Sequence, residues 1–277
     1  MHAKRLAVVV FKTIAFGAVL IWSLLPIAVI ILSSFKADRD IFAIPPKLQF
    51  VPTLANYEAL WVKWGSFFTG LANSFGVTAG ATVLAVALCT IAGYAYSRFN
   101  SKALTASVFF LVVIRLFPPI VLTLPLFPVI NYLGLNDTHF VLIVLYATLY
   151  VSLGTVMMRT FVDQIPREID EAAKVDGANT WQLLRQVILP LVAPGMVSLS
   201  VFVVVYAWNE YLFAFIFTTT RARTAPLVIS EMIGAIDGVE WGVLFSAATL
   251  QLLPVLIFVL LAQKYLIAGL TAGATKG

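Results

Sequence analysis

Long apolar runs recur along the chain at residues 13–33, 71–96, 104–127, 140–160, 190–217 and 243–265, with polar stretches between them. A run of about 20 residues crosses a bilayer as a helix. The pattern therefore predicts an all-α membrane protein with six transmembrane helices. The exposed segments are then 34–70, 97–103, 128–139, 161–189 and 218–242, with a tail over 266–277. The 277 residues leave no room for a large soluble domain, so one transmembrane domain over 1–277 is the economical reading. Lys4, Arg5 and Lys12 precede the first run, as in a secretory signal. That run is too long for a signal core and ends in Ser33-Ser34-Phe35-Lys36 without a small-residue cleavage pattern, so it is expected to be a retained span.

Local irregularities refine this outline. The third run contains Phe117-Pro118-Pro119 and Pro125, and proline removes an intrahelical hydrogen bond, so that span should be kinked or broken. The fifth opens at Pro190, with Pro194 one turn later. Gly76-x-x-x-Gly80 in the second run permits close approach of another helix, a weakly specific signal. Trp61 and Trp64, preceded by Pro45-Pro46 and Pro52, suit an extended lead-in and an interfacial helix. An inverted repeat of the kind found in many secondary transporters is not evident.

The polar segment 161–189 is the most informative. It splits at Gly177 into two helical patterns. Pro166 suits a first helical turn, and Glu168, Asp170 and Glu171 favour the positive end of the helix dipole. In the second pattern Asn179 can cap with Gln182, ahead of an apolar face of Leu183, Leu184, Val187 and Ile188. The small Ala172 and Ala173 would let a partner surface approach closely, and Asp170 and Glu171 offer charge to basic groups. An amphipathic hairpin resting on the bilayer is the other reading. Physical chemistry alone leaves both open.

Composition confirms the membrane class: 61% of residues are apolar and 11% charged, far from an ordinary soluble domain. The net charge of +5 does not point to nucleic acid, because the basic residues flank the apolar runs and form no patch. They do orient the chain. With the N-terminus inside, Lys4, Arg5, Lys12, Arg98, Lys102, Arg159, Arg167, Lys174, Arg185, Lys264 and Lys276 are cytoplasmic. Lys36, Arg39, Lys47, Lys63, Arg221 and Arg223 are outside, and Arg115 alone falls within a span. The positive-inside rule thus places both termini and the 161–189 loop in the cytoplasm. Cys89, the single cysteine, lies in an apolar run and reads as filler.

Little else in the chain suggests chemistry. His2 and His139 lie outside the spans, and neither metal-ligand spacing nor a nucleophile motif is present, so no catalytic or metal residue is assigned. Arg115 and Glu210 are the ionisable groups inside spans, where such residues default to function. By helix rise they sit at different depths and would pair only if prolines break or tilt their helices. Each could instead satisfy freed backbone groups or a partner helix. Trp208, Asn209, Glu210 and Tyr211 could add an aromatic face and hydrogen bonds to a pathway. An ion-coupled secondary carrier is the rival class, but it would need carboxylates near the midplane, for which Glu210 alone is a poor candidate.

The spacing Glu171-Ala172-Ala173, Gly177, Val187 and Leu189-Pro190 resembles the EAA-loop signature of permease subunits of bacterial ATP-binding-cassette importers, with Val187 at a position that is usually isoleucine. Asn73-Ser74, the run Ala92 to Phe99, and Trp208-Asn209-Glu210-Tyr211 resemble the carbohydrate branch of that family. The tail from Lys264 to Gly277 is similar to the ending of a maltose-transporter-type second permease.

That resemblance implies the type I importer permease fold in a bacterial inner membrane. It implies a heterodimer with a second permease, two cytoplasmic ATPase subunits and a periplasmic sugar-binding protein, all in contact with lipid and none with nucleic acid. The chain has no phosphate-binding loop, so ATP and Mg belong to the partner ATPase and no cofactor to this chain. The loop is implied to be the coupling helix, with Glu168, Asp170, Glu171, Ala172, Ala173, Asp176, Gly177, Leu189 and Pro190 at the ATPase. The tail, with Gly269, Leu270, Thr271 and Gly273, is implied to thread the ATPase interface, a frayed terminus being the other reading. Gly234, Asp237 and Gly238 would reach toward the binding protein. Such relatives hold their sugar mainly in the other permease, which makes direct sugar contact by this chain a weak expectation.

Overall fold

The computed structural model describes residues 2–236 and 238–272, with side chains placed for 9–236 and 238–263. All regular structure among them is helical. In chain order the helices are α1 (His2–Ser34), α2 (Asp38–Ile41), α3 (Ala55–Lys63), α4 (Gly65–Arg98), α5 (Lys102–Ile114) and α6 (Pro119–Tyr132). They continue with α7 (His139–Asp163), α8 (Arg167–Val175), α9 (Thr180–Trp208), α10 (Leu212–Phe217), α11 (Ala225–Ile233) and α12 (Trp241–Ala272). Helices α1, α4, α7, α9 and α12 are long and apolar enough to span, and α5 with α6, counted as one bent span, brings the number to six.

The third span breaks where its prolines predicted: α5 stops at Ile114, and α6 restarts with Pro119 in its first turn, 101° away. The fifth span differs from the expectation of one helix over 190–217. It begins earlier, because the second half of the polar loop runs straight into it from Thr180. A π turn at Leu183–Ile188 lies just ahead of Pro190. Pro190 lacks the N–H that the Gln186 carbonyl would accept in an α-helix, and the π turn shifts the ladder at that point. The span also breaks at 209–211, between α9 and α10. The segment 218–242, expected to be an exposed loop, contains α11, in which Leu227, Val228 and Met232 are buried.

The chain packs as two compact units. In the first, residues 1–68 and 229–253, the buried Asn56 amide is a hub. Its Nδ2 donates to the Ser34 and Lys36 carbonyls at 2.9 and 2.8 Å. A Cβ on Gly242 would collide with that amide, so a larger residue here would have to displace the Asn56 side chain. Trp22 is 84% exposed and no residue of the most apolar window of α1 is buried. A helix that is apolar all round and left uncovered by its own unit is suited to an apolar environment.

In the second unit, residues 69–228 and 254–277, α4, α7 and α9 form the core around Cys89, Tyr146, Met158 and Leu199. Close approach is set by small residues: a Cβ on Gly93 would lie 2.7 Å from the Arg159 nitrogen, and one on Gly154 2.6 Å from Cys89 Sγ. Of the Gly76-x-x-x-Gly80 pair, only Gly80 is a packing point, against Ile143.

Candidate functional site

The loop around α8 shows why its sequence folds as it does. Pro166 takes the N-cap position of α8, with Glu168 and Asp170 in the first turn. The helix ends at Asp176, and Gly177 follows at φ +87°. Ala178 N–H donates to the Ala173 carbonyl at 2.9 Å and Gly177 N–H to that of Lys174 at 3.1 Å. This pair of bonds is the Schellman C-cap, which requires a left-handed residue at Gly177. Asn179 and Gln182 then exchange side-chain and backbone bonds, both at 2.9 Å, in the expected capping box.

The two faces of α8 do different things. Glu168, Glu171, Ala172 and Val175 are exposed at spacing i, i+3, i+4, i+7, one stripe of the helix. Asp170 and Ala173 face inward, and Asp170 is 5% exposed. The expectation that Asp170 offers its charge to a partner is corrected here. Its carboxylate accepts both arms of Arg98, the last residue of α4, at 2.8 Å from Nε and 3.1 Å from Nη2. Arg98 also donates to the Ile165 carbonyl at 3.0 Å and to Ser97 Oγ at 3.2 Å. Ser97 Oγ donates to Asp163 at 2.6 Å, and Arg167 donates to the Ser97 carbonyl at 3.1 Å. The loop is therefore clamped to the end of α4 by a buried, fork-to-carboxylate ion pair, the geometry in which arginine is hardest to replace. Beyond Gly177, Trp181 and Arg185 are exposed, Leu189 is half-buried and Pro190 exposed.

The breaks in the third and fifth spans are the second functional candidate. Arg115 caps α5 and is exposed on a cavity of about 390 Å³, which Phe117, Thr148, Tyr150, Ser152 and Phe213 also line. At the other break, Glu210 Oε1 accepts from the Phe213 N–H at 3.0 Å and so starts α10. Tyr146 donates to the Glu210 carbonyl at 3.4 Å, and Asn209 Nδ2 donates to the Val205 carbonyl at 2.8 Å. Trp208 is buried edge-on to Phe75, with ring centroids 4.8 Å apart, and Tyr211 stacks on Phe215. Among the described residues Arg115 and Glu210 form no ion pair with each other. The breaks do not bring them together.

Asp137, between α6 and α7, was not singled out in the sequence. Its carboxylate accepts the backbone N–H groups of Thr219, Thr220, Arg221 and Ala222 at 2.9–3.1 Å, with the hydroxyls of Thr219 and Thr220. Burial raises its pKa, but the bonds from Ala222, Arg221, Thr219 and Thr220 outweigh that and hold it well below the usual carboxylate range. Asn73 and Ser74 act on the same segment: Asn73 Nδ2 donates to the Arg221 and Arg223 carbonyls at 2.9 Å each, and Ser74 Oγ accepts from Ala225 N–H at 3.0 Å. Polar turn residues Asn136-Asp137-Thr138 were the available signal.

In the first unit, Gly238 at φ +94° borders a cavity of about 220 Å³ beside the Lys63–Glu240 ion pair of 2.6 Å. Gly234 follows α11, and a Cβ there would make ordinary contact, at 3.8 Å, with the Ser230 and Glu231 carbonyl oxygens. Asp237 and Gly273 lie outside the described residues, while Gly269, Leu270 and Thr271 fall on the end of α12, whose side chains are also outside them.

Comparison with known proteins settles the class. The family described as binding-protein-dependent transport system inner membrane component matches residues 85–271, which include the α8 loop and both broken spans. The chain belongs to this family of transport permeases. The permease is 35% identical over 265 residues to the trehalose/maltose transport system permease protein MalG of Thermococcus litoralis, covering 94% of this chain and 95% of the relative. It is 35% identical over 261 residues to the trehalose transport system permease protein SugB of Mycobacterium tuberculosis, covering 92% and 93%. A solved bacterial ABC transporter that imports alginate has the same fold, with a TM-score of 0.77, 21% identity and coverage of 96% and 98%. The permease is thus a multi-pass, all-α importer subunit.

Proposed function

We propose that the permease forms half the pore of an ATP-driven carbohydrate importer in a bacterial inner membrane, with both termini and the α8 loop in the cytoplasm. A second permease completes the pore, two ATPase subunits dock beneath it, and a periplasmic binding protein delivers the sugar. The observation that carries this reading is the two-sided α8: an outward stripe of Glu168, Glu171, Ala172 and Val175, and an inward clamp from Asp170 to Arg98. A helix held this way can take a push on one face and pass it inward on the other. Ala172 keeps the backbone within reach of a partner groove, Asp176 and Gly177 end the docking element, and Leu189 and Pro190 pass the displacement along α9 into its apolar part.

The trehalose and maltose named for the relatives support a saccharide as cargo. The permease itself binds no cofactor and catalyses nothing in this reading, since ATP and Mg sit on the ATPase. The tail from Gly269 through Gly273 reaches the ATPase interface, and the Gly234 to Gly238 segment meets the binding protein. The test is Ala172→Phe in the importer co-expressed with its ATPase. A phenyl ring on the outward stripe should leave the permease in the membrane and lower ATPase co-purification about tenfold, the effect of losing ~1.4 kcal/mol of docking energy. Undiminished co-purification would refute the docking face. Uptake that survives deletion of the ATPase would favour an ion-coupled carrier instead.

A further inference from the structure

Helix α5 is 13 residues long, which at ~1.5 Å per residue carries the chain about 20 Å, deep into a hydrocarbon core of about 30 Å. A helix end at that depth leaves four carbonyls to be satisfied. In the sequence, Arg115 is a natural candidate for that task. The structure assigns it elsewhere. The Leu111 carbonyl accepts from the Ser152 hydroxyl at 2.6 Å. Those of Val112, Val113 and Ile114 accept the N–H groups of Arg115, Leu116 and Phe117 at 3.3, 3.0 and 3.3 Å. All four are filled without the guanidinium. Among the described residues, no carboxylate lies within 4.0 Å of it. An intramembrane cation without a countercharge must face water, a partner or cargo.

What it faces is the cavity of about 390 Å³, within the ~300–1,000 Å³ typical of small-molecule sites. Phe117, Tyr150 and Phe213 line it together with Arg115, Thr148 and Ser152, and the rest of the lining is aliphatic. That combination suits a sugar, whose ring offers apolar C–H faces and a rim of oxygen acceptors for a five-donor fork. Resting on the carbohydrate-importer reading above, we propose that the break in the third span is a cargo subsite on the translocation path. Arg115 is its specificity-determining donor, to hydroxyl or carboxylate oxygens.

The test uses the assembled importer in proteoliposomes. Thr148→Cys places a reporter thiol on the cavity, and the single native cysteine, Cys89, is buried. With each rate divided by that reagent's own rate with a free thiol in solution, an uncompensated cation in an aqueous cavity should make a sulfonated methanethiosulfonate react roughly three- to tenfold faster than its trimethylammonium counterpart, by Coulomb attraction at high dielectric. Adding Arg115→Gln should bring that ratio close to unity. Trehalose uptake by Arg115→Gln should fall about tenfold or more, as expected for one charge-assisted hydrogen bond, and Arg115→Lys should keep the reagent ratio but restore uptake only in part. Equal reaction with both reagents, or none, overturns the proposal, because the guanidinium is then neutralised by the second permease or sits in lipid. Unchanged trehalose uptake by Arg115→Gln overturns it too. A wild-type importer that takes up none of trehalose, maltose and galacturonate overturns the carbohydrate reading, and the cargo assignment with it, whatever the ratio.

Discussion

Removing the Asp170 carboxylate should detach the α8 loop from the end of α4. The two side chains are 7% and 8% exposed, and breaking a buried ion pair by removing one partner costs about 3–5 kcal/mol, because the remaining charge stays buried. Arg98 would keep its bonds to the Ile165 carbonyl and Ser97 Oγ, which puts Asp170→Ala at the lower end, near ~3 kcal/mol. At ~1.4 kcal/mol per tenfold, that raises the detached population roughly 150-fold. Hydrogen exchange of the purified permease reads this directly: amides of the α8 peptide should lose about two orders of magnitude of protection, while the α4–α7 core stays protected. The charge-swapped pair Arg98→Asp with Asp170→Arg should recover part of it. Protection that changes less than about fivefold, under ~1 kcal/mol, or a swap as unprotected as the single variant, would refute the clamp.

Three further outcomes follow from the geometry. Gly177→Ala should destabilise the α8 loop by about 1–2 kcal/mol, the cost of a Cβ in the left-handed region; nothing lies within 4 Å of the added methyl, so the cost is conformational and shows as faster exchange of 173–178 without change in the core. Asp137→Asn should cost about 2–3 kcal/mol, as for a hydrogen bond or two to a charged acceptor, and expose 218–224 to proteolysis. Because the folded pKa of Asp137 is depressed, its contribution is fully present above the unfolded value of about 3.9 and is lost as pH falls below it; protection of 218–224 should therefore be flat from neutral to about pH 4 and decline only in stronger acid, and Asp137→Asn should abolish that decline. Gly242→Ala should destabilise the first unit by about 1–3 kcal/mol through collision with Asn56, visible as a lower melting temperature, and Asn56→Ala in the same chain should relieve part of the clash term.

Much of this protein was legible in one dimension because the bilayer imposes local rules. A span must be about 20 apolar residues long and its backbone must bond within itself, so length, prolines and charge flanks placed the spans and the break at Pro118-Pro119. Helix ends are likewise local: Gly177 and the Asn179–Gln182 box involve residues at most five apart. The fifth-span break at 209–211 left no such mark, since no proline or glycine lies there and Glu210 makes the turn by bonding Phe213. Which way a charge points was not local at all. Asp170 looked available for a partner until Arg98, 72 residues away, claimed it, and Asp137 became a cap only because the chain returned to it 82–85 residues later. Arg115 was open in the sequence between a functional role, freed backbone groups and a partner helix, and Ser152, on a neighbouring span, took one of the carbonyls it could have served. Sequence alone determined the family, the all-helical membrane class and the local caps of the polar loop. Only the tertiary structure decided which charges are neutralised inside the fold and which are left to act, because that depends on partners brought together by packing.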